Sequence, residues 1–283
     1  MLLNPGTRLG PYTRVLTVLM LSVLAFPRLA STQEVSATLG VTRTMKSIIL
    51  GEDRKVVVHL RASYNTSGNA YPVLYLLDGT PAFLLETIAI TTRLRNDRNA
   101  PEMIVVAIEN TDRNRDMMPV VAKDLPGPPR AEAFLDFLEK ELIPDIEKTY
   151  RTAQPRILQG KSLSGLFTIY ALLARPTVFN AYVGCSAGWF AENNDYFLEL
   201  STRAFRTVES FADRRVFMAN SLQDQYDPGQ AIHRQMIGFS ELIKRNVKEA
   251  ISYRYETYEN YPHVPFPCLY DGLRFVTMAQ PKK

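Results

Sequence analysis

The residues best placed to do chemistry lie in the segment Arg156-Ile157-Leu158-Gln159-Gly160-Lys161-Ser162-Leu163-Ser164-Gly165. A short apolar run enters a turn with Ser162 at its tip, and a largely apolar helical pattern, Leu163 to Ala174, leaves it. This is the strand–turn–helix setting of a G-x-S-x-G nucleophile elbow. The turn brings strand and helix close together, so the positions two before and two after the serine must be small. Gly160 meets the first requirement. Ser164 stands where glycine is usual, but it is still small, and Gly165 follows. The backbone N–H of Leu163, at the start of the helix, would face a developing oxyanion. A serine nucleophile also needs a base, and the chain has three histidines: His59, His233 and His263. His59 falls in an early strand and His233 on an amphipathic helix, which leaves His263 as the candidate base. The loop Ser221-Leu222-Gln223-Asp224-Gln225-Tyr226-Asp227 offers Asp224 and Asp227 as the acid, with Gln225 between them. A glutamine there could orient an imidazole but could not stabilise imidazolium as a carboxylate does.

The elements that must hold these residues alternate between strand and helix patterns. Residues 43–50 and 54–62 read as an antiparallel pair. Near-continuous apolar runs follow at 71–77, 102–109, 156–159, 179–185 and 215–220. Such runs suit strands buried on both faces of a sheet. Helical spacing appears at 131–150, with Pro144 as an irregularity, at 163–174 and at 228–246. A last strand is expected at 251–258 and a last helix at 269–278. The pattern implies an α/β fold with a mainly parallel central sheet and helices on both faces. In such sheets ligands bind beyond the carboxyl ends of the strands.

Composition narrows the functional classes. The 283 residues are 46% hydrophobic and 22% charged, with 33 basic and 29 acidic side chains, as in an ordinary globular domain. A net charge of +4 without a basic tract gives no reason to expect nucleic-acid binding. There is no P-loop, dinucleotide fingerprint or CxxC pairing, so no cofactor and no metal is expected. Residues 1–32 carry Arg8, Arg14 and Arg28 and no acid. The apolar run VLTVLMLSVLAF and a small-residue exit lie inside them. This describes a secretory signal peptide, too short to span a bilayer comfortably. The expectation is an exported, periplasmic or secreted protein with no membrane span in the mature chain, and one domain over 33–283. Cys185 and Cys268 are equally open to pairing after export or to remaining buried thiols. Asn65-Thr66-Ser67 matches a glycosylation acceptor, relevant only in a eukaryotic secretory route.

Several longer segments resemble the putative esterase family of α/β-hydrolases, which includes esterase D-type enzymes, ferri-siderophore esterases and mycolyltransferases. They are YPVLYLLDGT (71–80), EMIVVAIENTDRNRDMMP (102–119), FLEKELIPDIEKTYRT (137–152), the elbow through Asn194, and VPFPCLYDGLRF (264–275). The resemblance covers roughly residues 43–278. It implies an α/β-hydrolase fold and a site with chain order serine, acid, histidine. It also implies that Gly79 or Thr80 supplies the second oxyanion N–H, and that Trp189 and Phe190 wall the pocket. The chain departs from the family pattern in three places. Lys161 and Ser164 flank the serine; the lysine would either favour anionic substrates or face solvent. Without a gap, Tyr261 falls where the family has its histidine, and His263 comes two residues later. A loop shortened by two residues would return His263 to the role. The third departure is at the acid, where Gln225 competes with Asp224 and Asp227. Arg113, Arg115 and Asp116 cluster in one loop, either to bind a polar substrate or to pair with one another.

The expected function is that of an exported serine hydrolase. It would cleave a small-molecule carboxylic ester through an acyl-enzyme formed on Ser162. The rival readings are a catalytically degenerate hydrolase fold that binds a ligand or partner, motivated by Tyr261, Lys161 and Gln225, and an acyltransferase.

Overall fold

Eight strands form one sheet in the order β1-β2-β4-β3-β5-β6-β7-β8. The computed structural model describes residues 38–121, 127–188 and 193–278. The segment read as a signal peptide, 1–32, and the residues Trp189 and Phe190 lie outside the described residues. Residues Leu39–Lys283 form one compact unit.

β1 (Val41–Ser47) and β2 (Glu52–His59) make the expected antiparallel hairpin, and β2 pairs antiparallel with β4 (Ile104–Ile108). All later pairings are parallel. They join β3 (Tyr71–Leu76), β4, β5 (Thr152–Lys161), β6 (Ala181–Cys185), β7 (Arg214–Ser221) and β8 (Ile251–Tyr258). Every residue of β3, β4 and β6 is buried. That is why their sequences read as unbroken apolar runs rather than alternating ones.

The helices divide between the two faces. α1 (Pro81–Asn96) and the C-terminal α6 (Phe266–Thr277) pack on one side, over Leu74, Val105, Val183 and Phe217. On the other side α2 (Ala131–Phe137), α3 (Leu163–Ala174), α4 (Asn194–Ala204) and α5 (Ala231–Asn246) cover Tyr75, Val106, Leu158 and Val216. α3 has only Ala174 outside the buried class, in keeping with its almost wholly apolar sequence.

The expected helix over 131–150 is divided. α2 ends at Phe137, a wide turn spans Leu138–Leu142, and helix resumes over Ile143–Thr149. Pro144 has no N–H to donate back, so the regular ladder is interrupted near it. α1 was not marked by apolar periodicity. Its signal is local instead: Thr80 caps it by accepting from the Phe83 N–H, and Pro81 opens it.

Candidate active site

Ser162 sits between β5 and α3 with φ 56° and ψ −125°. A side chain at positive φ is strained by about 1–3 kcal/mol, a cost the surrounding packing must hold in place. Gly160 makes the turn possible. A Cβ there would lie 2.1 Å from the Ser164 carbonyl oxygen. Gly165 is equally constrained, since its Cβ would lie 2.7 Å from the Cys185 carbonyl oxygen. The Ser162 N–H donates to that same carbonyl at 2.8 Å, tying the elbow to β6.

Three side chains from three loops converge at this tip. His263 Nε2 lies 2.8 Å from Ser162 Oγ, and His263 Nδ1 lies 2.5 Å from Asp224 Oδ2. Asp224 is 5% exposed, and its other oxygen accepts from the Tyr226 N–H at 2.8 Å. The histidine is fixed further. Its backbone N–H donates to Gln225 Oε1 at 3.1 Å, and the Tyr226 ring stands edge-on to it, centroids 5.0 Å apart. The arrangement is a serine hydroxyl within hydrogen-bond reach of an imidazole, and an imidazole oriented by a buried carboxylate, a geometry that can serve nucleophilic catalysis.

Tyr261 is not part of this chain of contacts. Its carbonyl accepts the Ser221 hydroxyl and its ring packs against Tyr258. The backbone reaches the serine two residues later, at His263. Asp227, the alternative acid, has another task. Its carboxylate accepts from the N–H groups of Ala231 at 2.6 Å and His233 at 3.0 Å, at the start of α5. Carboxylates belong at helix N-termini because the first N–H groups have no partner within the helix. Gln225 likewise holds the histidine backbone rather than its ring. His59 bonds the Leu39 carbonyl through Nδ1, and His233 Nδ1 meets the Tyr255 hydroxyl, so neither is placed near the serine by its contacts.

Leu163 opens α3, where N–H groups lack intrahelical acceptors. The space in front of it is kept by Gly188, which sequence reasoning missed. A Cβ on Gly188 would stand 3.3 Å from Ser162 Oγ and 3.5 Å from Leu163 N. The Gly79 expectation is corrected: its N–H donates to the Ile108 carbonyl at 2.8 Å and so belongs to the sheet. The Thr80 N–H turns back to the Asp78 carbonyl at 2.6 Å, closing a three-residue turn.

Beneath the elbow lies a second polar cluster. Asp78, buried at φ 54°, accepts from Asn110, from two nitrogens of Arg113 at 2.7 and 2.8 Å, and from the Ser164 hydroxyl at 2.8 Å. Burial pushes the Asp78 carboxyl up, but Arg113 and the other donors outweigh it and hold it below the ordinary carboxylate range. Ser164 therefore does more than stay small, because its hydroxyl also ties the elbow to this carboxylate. Arg115 pairs with Glu52 and Asp116, and Asp116 with the fully buried Arg54. The Arg113–Asp116 cluster, on a short helical turn (Arg113–Met117), is thus committed to ion pairs rather than open to substrate. Lys161 is half-buried, with Nζ 3.5 Å from the centroid of the Phe83 ring, and burial lowers its pKa. Cys185 and Cys268 are joined in a disulfide that links the end of β6 to α6. Among the described residues no group of three or more histidine, cysteine or acidic side chains is placed to hold a metal, and no helix is long and apolar enough to cross a membrane.

Comparison with known proteins bears on the family and the fold. The family model described as "Putative esterase" matches residues 47–263. The uncharacterized protein YbbA of Bacillus subtilis (strain 168) is 25% identical over 210 residues, which cover 70% of this chain and 79% of YbbA. The ferri-bacillibactin esterase BesA of the same strain is 30% identical over 159 residues, 47% of this chain and 55% of BesA. The chain thus matches only about half the length of BesA. An IroE-like serine hydrolase from Shewanella oneidensis superposes with a TM-score of 0.73 at 28% identity, covering 83% of this chain and 78% of that one. The sheet, the helices on both faces and this likeness place the chain in the α/β-hydrolase fold.

Proposed function

Because this chain belongs to the "Putative esterase" family, a carboxylic ester hydrolase family, we propose that Ser162, His263 and Asp224 carry out the hydrolysis through an acyl-enzyme. The single observation that carries this reading is the unbroken path Asp224 Oδ2 – His263 Nδ1, His263 Nε2 – Ser162 Oγ, at 2.5 and 2.8 Å. Ser162 Oγ attacks the ester carbonyl while His263 Nε2 takes its proton. The imidazolium formed lies against the Asp224 carboxylate. Collapse of the tetrahedral intermediate expels the alcohol, which receives that proton. Water then enters by the same base and releases the acid. The Leu163 N–H supports the oxyanion in both steps. The Thr80 N–H, held only by its three-residue turn, is the second donor, which exchanges the Asp78 carbonyl for the substrate oxygen.

The substrate is a small-molecule ester. The names of BesA and of a siderophore triacetylfusarinine C esterase of Aspergillus fumigatus, 30% identical over 132 residues, make siderophore esters the first to assay. Export is part of the proposal. It rests on the basic and apolar pattern of residues 1–32, and the Cys185–Cys268 disulfide suits an oxidising compartment. The expected outcome is hydrolysis of p-nitrophenyl butyrate and fluorophosphonate labelling, both lost in Ser162→Ala. Folded protein that shows neither returns the degenerate reading to first place. Product analysis with acceptor alcohols separates hydrolysis from acyl transfer.

A further inference from the structure

At the position where a G-x-S-x-G elbow has no side chain, this chain carries a fully buried hydroxyl, that of Ser164. Glycine would meet the steric demand there, so packing alone does not call for the serine. Its hydrogen bonds all lie next to Ser162. The Lys161 N–H donates to Ser164 Oγ at 2.8 Å. The hydroxyl in turn lies 2.8 Å from the Lys161 carbonyl oxygen and 2.8 Å from Asp78 Oδ2, two acceptors for its single proton. The peptide that joins Lys161 to Ser162 is thereby held at both of its polar atoms. Its N–H donates to the Cys185 carbonyl at 2.8 Å, and its carbonyl faces the Ser164 hydroxyl and, at 3.3 Å, Arg113 Nη2. The plane of this peptide sets φ of Ser162, which is 56°. A serine stays in that region only when its surroundings hold it there.

The same hydroxyl reaches the turn that carries Thr80. Asp78 has φ 54°, and its carbonyl accepts the Thr80 N–H at 2.6 Å. Its carboxylate is taken by Asn110, Arg113 and Ser164. Arg113 and Ser164 each bond both Asp78 and the Lys161 carbonyl, so they join the turn to the elbow. The two links differ in quality. The Arg113 side chain is 33% exposed and meets the Lys161 carbonyl at the longer distance, whereas Ser164 is 0% exposed and makes both contacts at 2.8 Å. The shorter bonds, shielded from water, form the stiffer link. Leu163 lies between Ser162 and Ser164, and Thr80 lies two residues after Asp78. One side chain thus spans the two segments whose N–H groups are the proposed oxyanion donors. Such donors stabilise charge best when they are already in place as it develops.

We infer that Ser164 is a positioning residue: its hydroxyl couples the elbow to the Thr80 turn and so sets the placement of the Leu163 and Thr80 N–H groups relative to each other. Its role in turnover rests on the esterase reading; the coupling of the two segments does not.

The test uses two full-length variants. Ser164→Gly returns the residue that the elbow pattern calls for, and Ser164→Ala removes the hydroxyl without adding backbone freedom. Either serves by itself should the other fail to fold. Well below the melting temperature, kcat for p-nitrophenyl butyrate should fall about 10–100-fold in both, no more than the loss of a whole oxyanion donor, with KM within about threefold of wild type. Inhibition by butaneboronic acid, whose tetrahedral adduct on Ser162 places an oxygen in the same hole, should weaken by about the same factor. A hydroxyl that only stabilised the fold would lower Tm and leave kcat and boronate inhibition unchanged, and that result would overturn the positioning role. The coupling is read without turnover, by amide hydrogen exchange followed by NMR. Exchange at Thr80 should quicken by about tenfold or more in both variants, while Gly79, bonded to Ile108 in the sheet, keeps its wild-type rate. An unchanged rate at Thr80, or equal quickening at Gly79, would overturn the coupling. Absence of Ser162-dependent turnover in the wild type would count against the esterase reading alone.

Discussion

Two polar clusters meet at the elbow, and they are built on opposite plans. Around Asp78 each carboxylate oxygen is taken by more than one donor, and the donors come from two separate segments: Asn110 and Arg113 after β4, and Ser164 at the start of α3. Around His263 the chain of bonds ends at Ser162 Oγ, a group that must leave its hydrogen bond to react. A saturated network resists change and so fixes the shape of the turn. An incomplete one leaves the Ser162 hydroxyl beside an imidazole that can take its proton. The difference teaches that charge density alone does not mark a site. The Arg113–Asp116 cluster has more formal charge than the trio, and its charges pair with one another and with the sheet.

The sharpest way to break this comparison is through the histidine and its acid. His263→Ala should lower kcat for p-nitrophenyl butyrate by about 10⁴–10⁶-fold, as removal of the base in a serine–histidine pair does. Asp224→Asn, which keeps the shape but removes the charge, should cost about 10³–10⁴-fold. Next comes Gly188→Ala, which places a methyl group between Ser162 Oγ and Leu163 N. A loss of about 10²-fold in kcat is expected, the scale of one lost oxyanion donor, with fluorophosphonate labelling slowed in parallel. Equal rates for Gly188→Ala and wild type would remove Leu163 from the oxyanion assignment.

The structural cluster is tested by Asp78→Asn. Breaking a fully buried pair costs about 3–5 kcal/mol, but Arg113 is 33% exposed and therefore partly screened. We expect about 2 kcal/mol, read by calorimetric melting at neutral pH. The pH dependence has a definite sign. The Asp78 carboxyl is held below its unfolded value of about 3.9, so its contribution is present above that pH and is lost as pH falls through the lower folded value. The gap in Tm between wild type and Asp78→Asn should narrow below about pH 4. A gap that widens there would contradict the assignment. The smallest effect is expected at Asp227→Ala. It should lower stability by about 1 kcal/mol through the lost cap of α5, while kcat changes by no more than about threefold. A drop in kcat like that of Asp224→Asn would show that the acid was assigned to the wrong aspartate.

How much of this was open to reading from residues alone varies along the chain. The parallel core was legible because strands buried on both faces have no reason to alternate, and 71–77 and 102–109 do not. The elbow was legible because its steric demands are local: Gly160, Ser162 and Gly165 lie within six positions of one another. α1 is hard to read from its residues because its start is written in a cap, Thr80-Pro81, and not in a strong apolar stripe. Gly188 left no signal at all. Its smallness matters only because β6 carries it to the face of a serine that arrives from β5.

By itself, then, the sequence determined the α/β class, the strand–turn–helix setting of Ser162 and the short list of side chains that could meet it. Those follow from burial periodicity and from turn sterics, which act over a few residues. Only the tertiary structure chose among the partners. Asp224 and Asp227 are three positions apart with identical chemistry; one meets an imidazole and the other caps a helix, because the loop after β7 faces each in a different direction. Tyr261 and His263 differ by two positions, and loop geometry decides which reaches Ser162. Gly79 lost its expected role to a sheet hydrogen bond with Ile108, a residue distant in sequence and adjacent in space. Contacts between segments that arrive from separate strands are set by the packing of the whole sheet, and no local pattern encodes them.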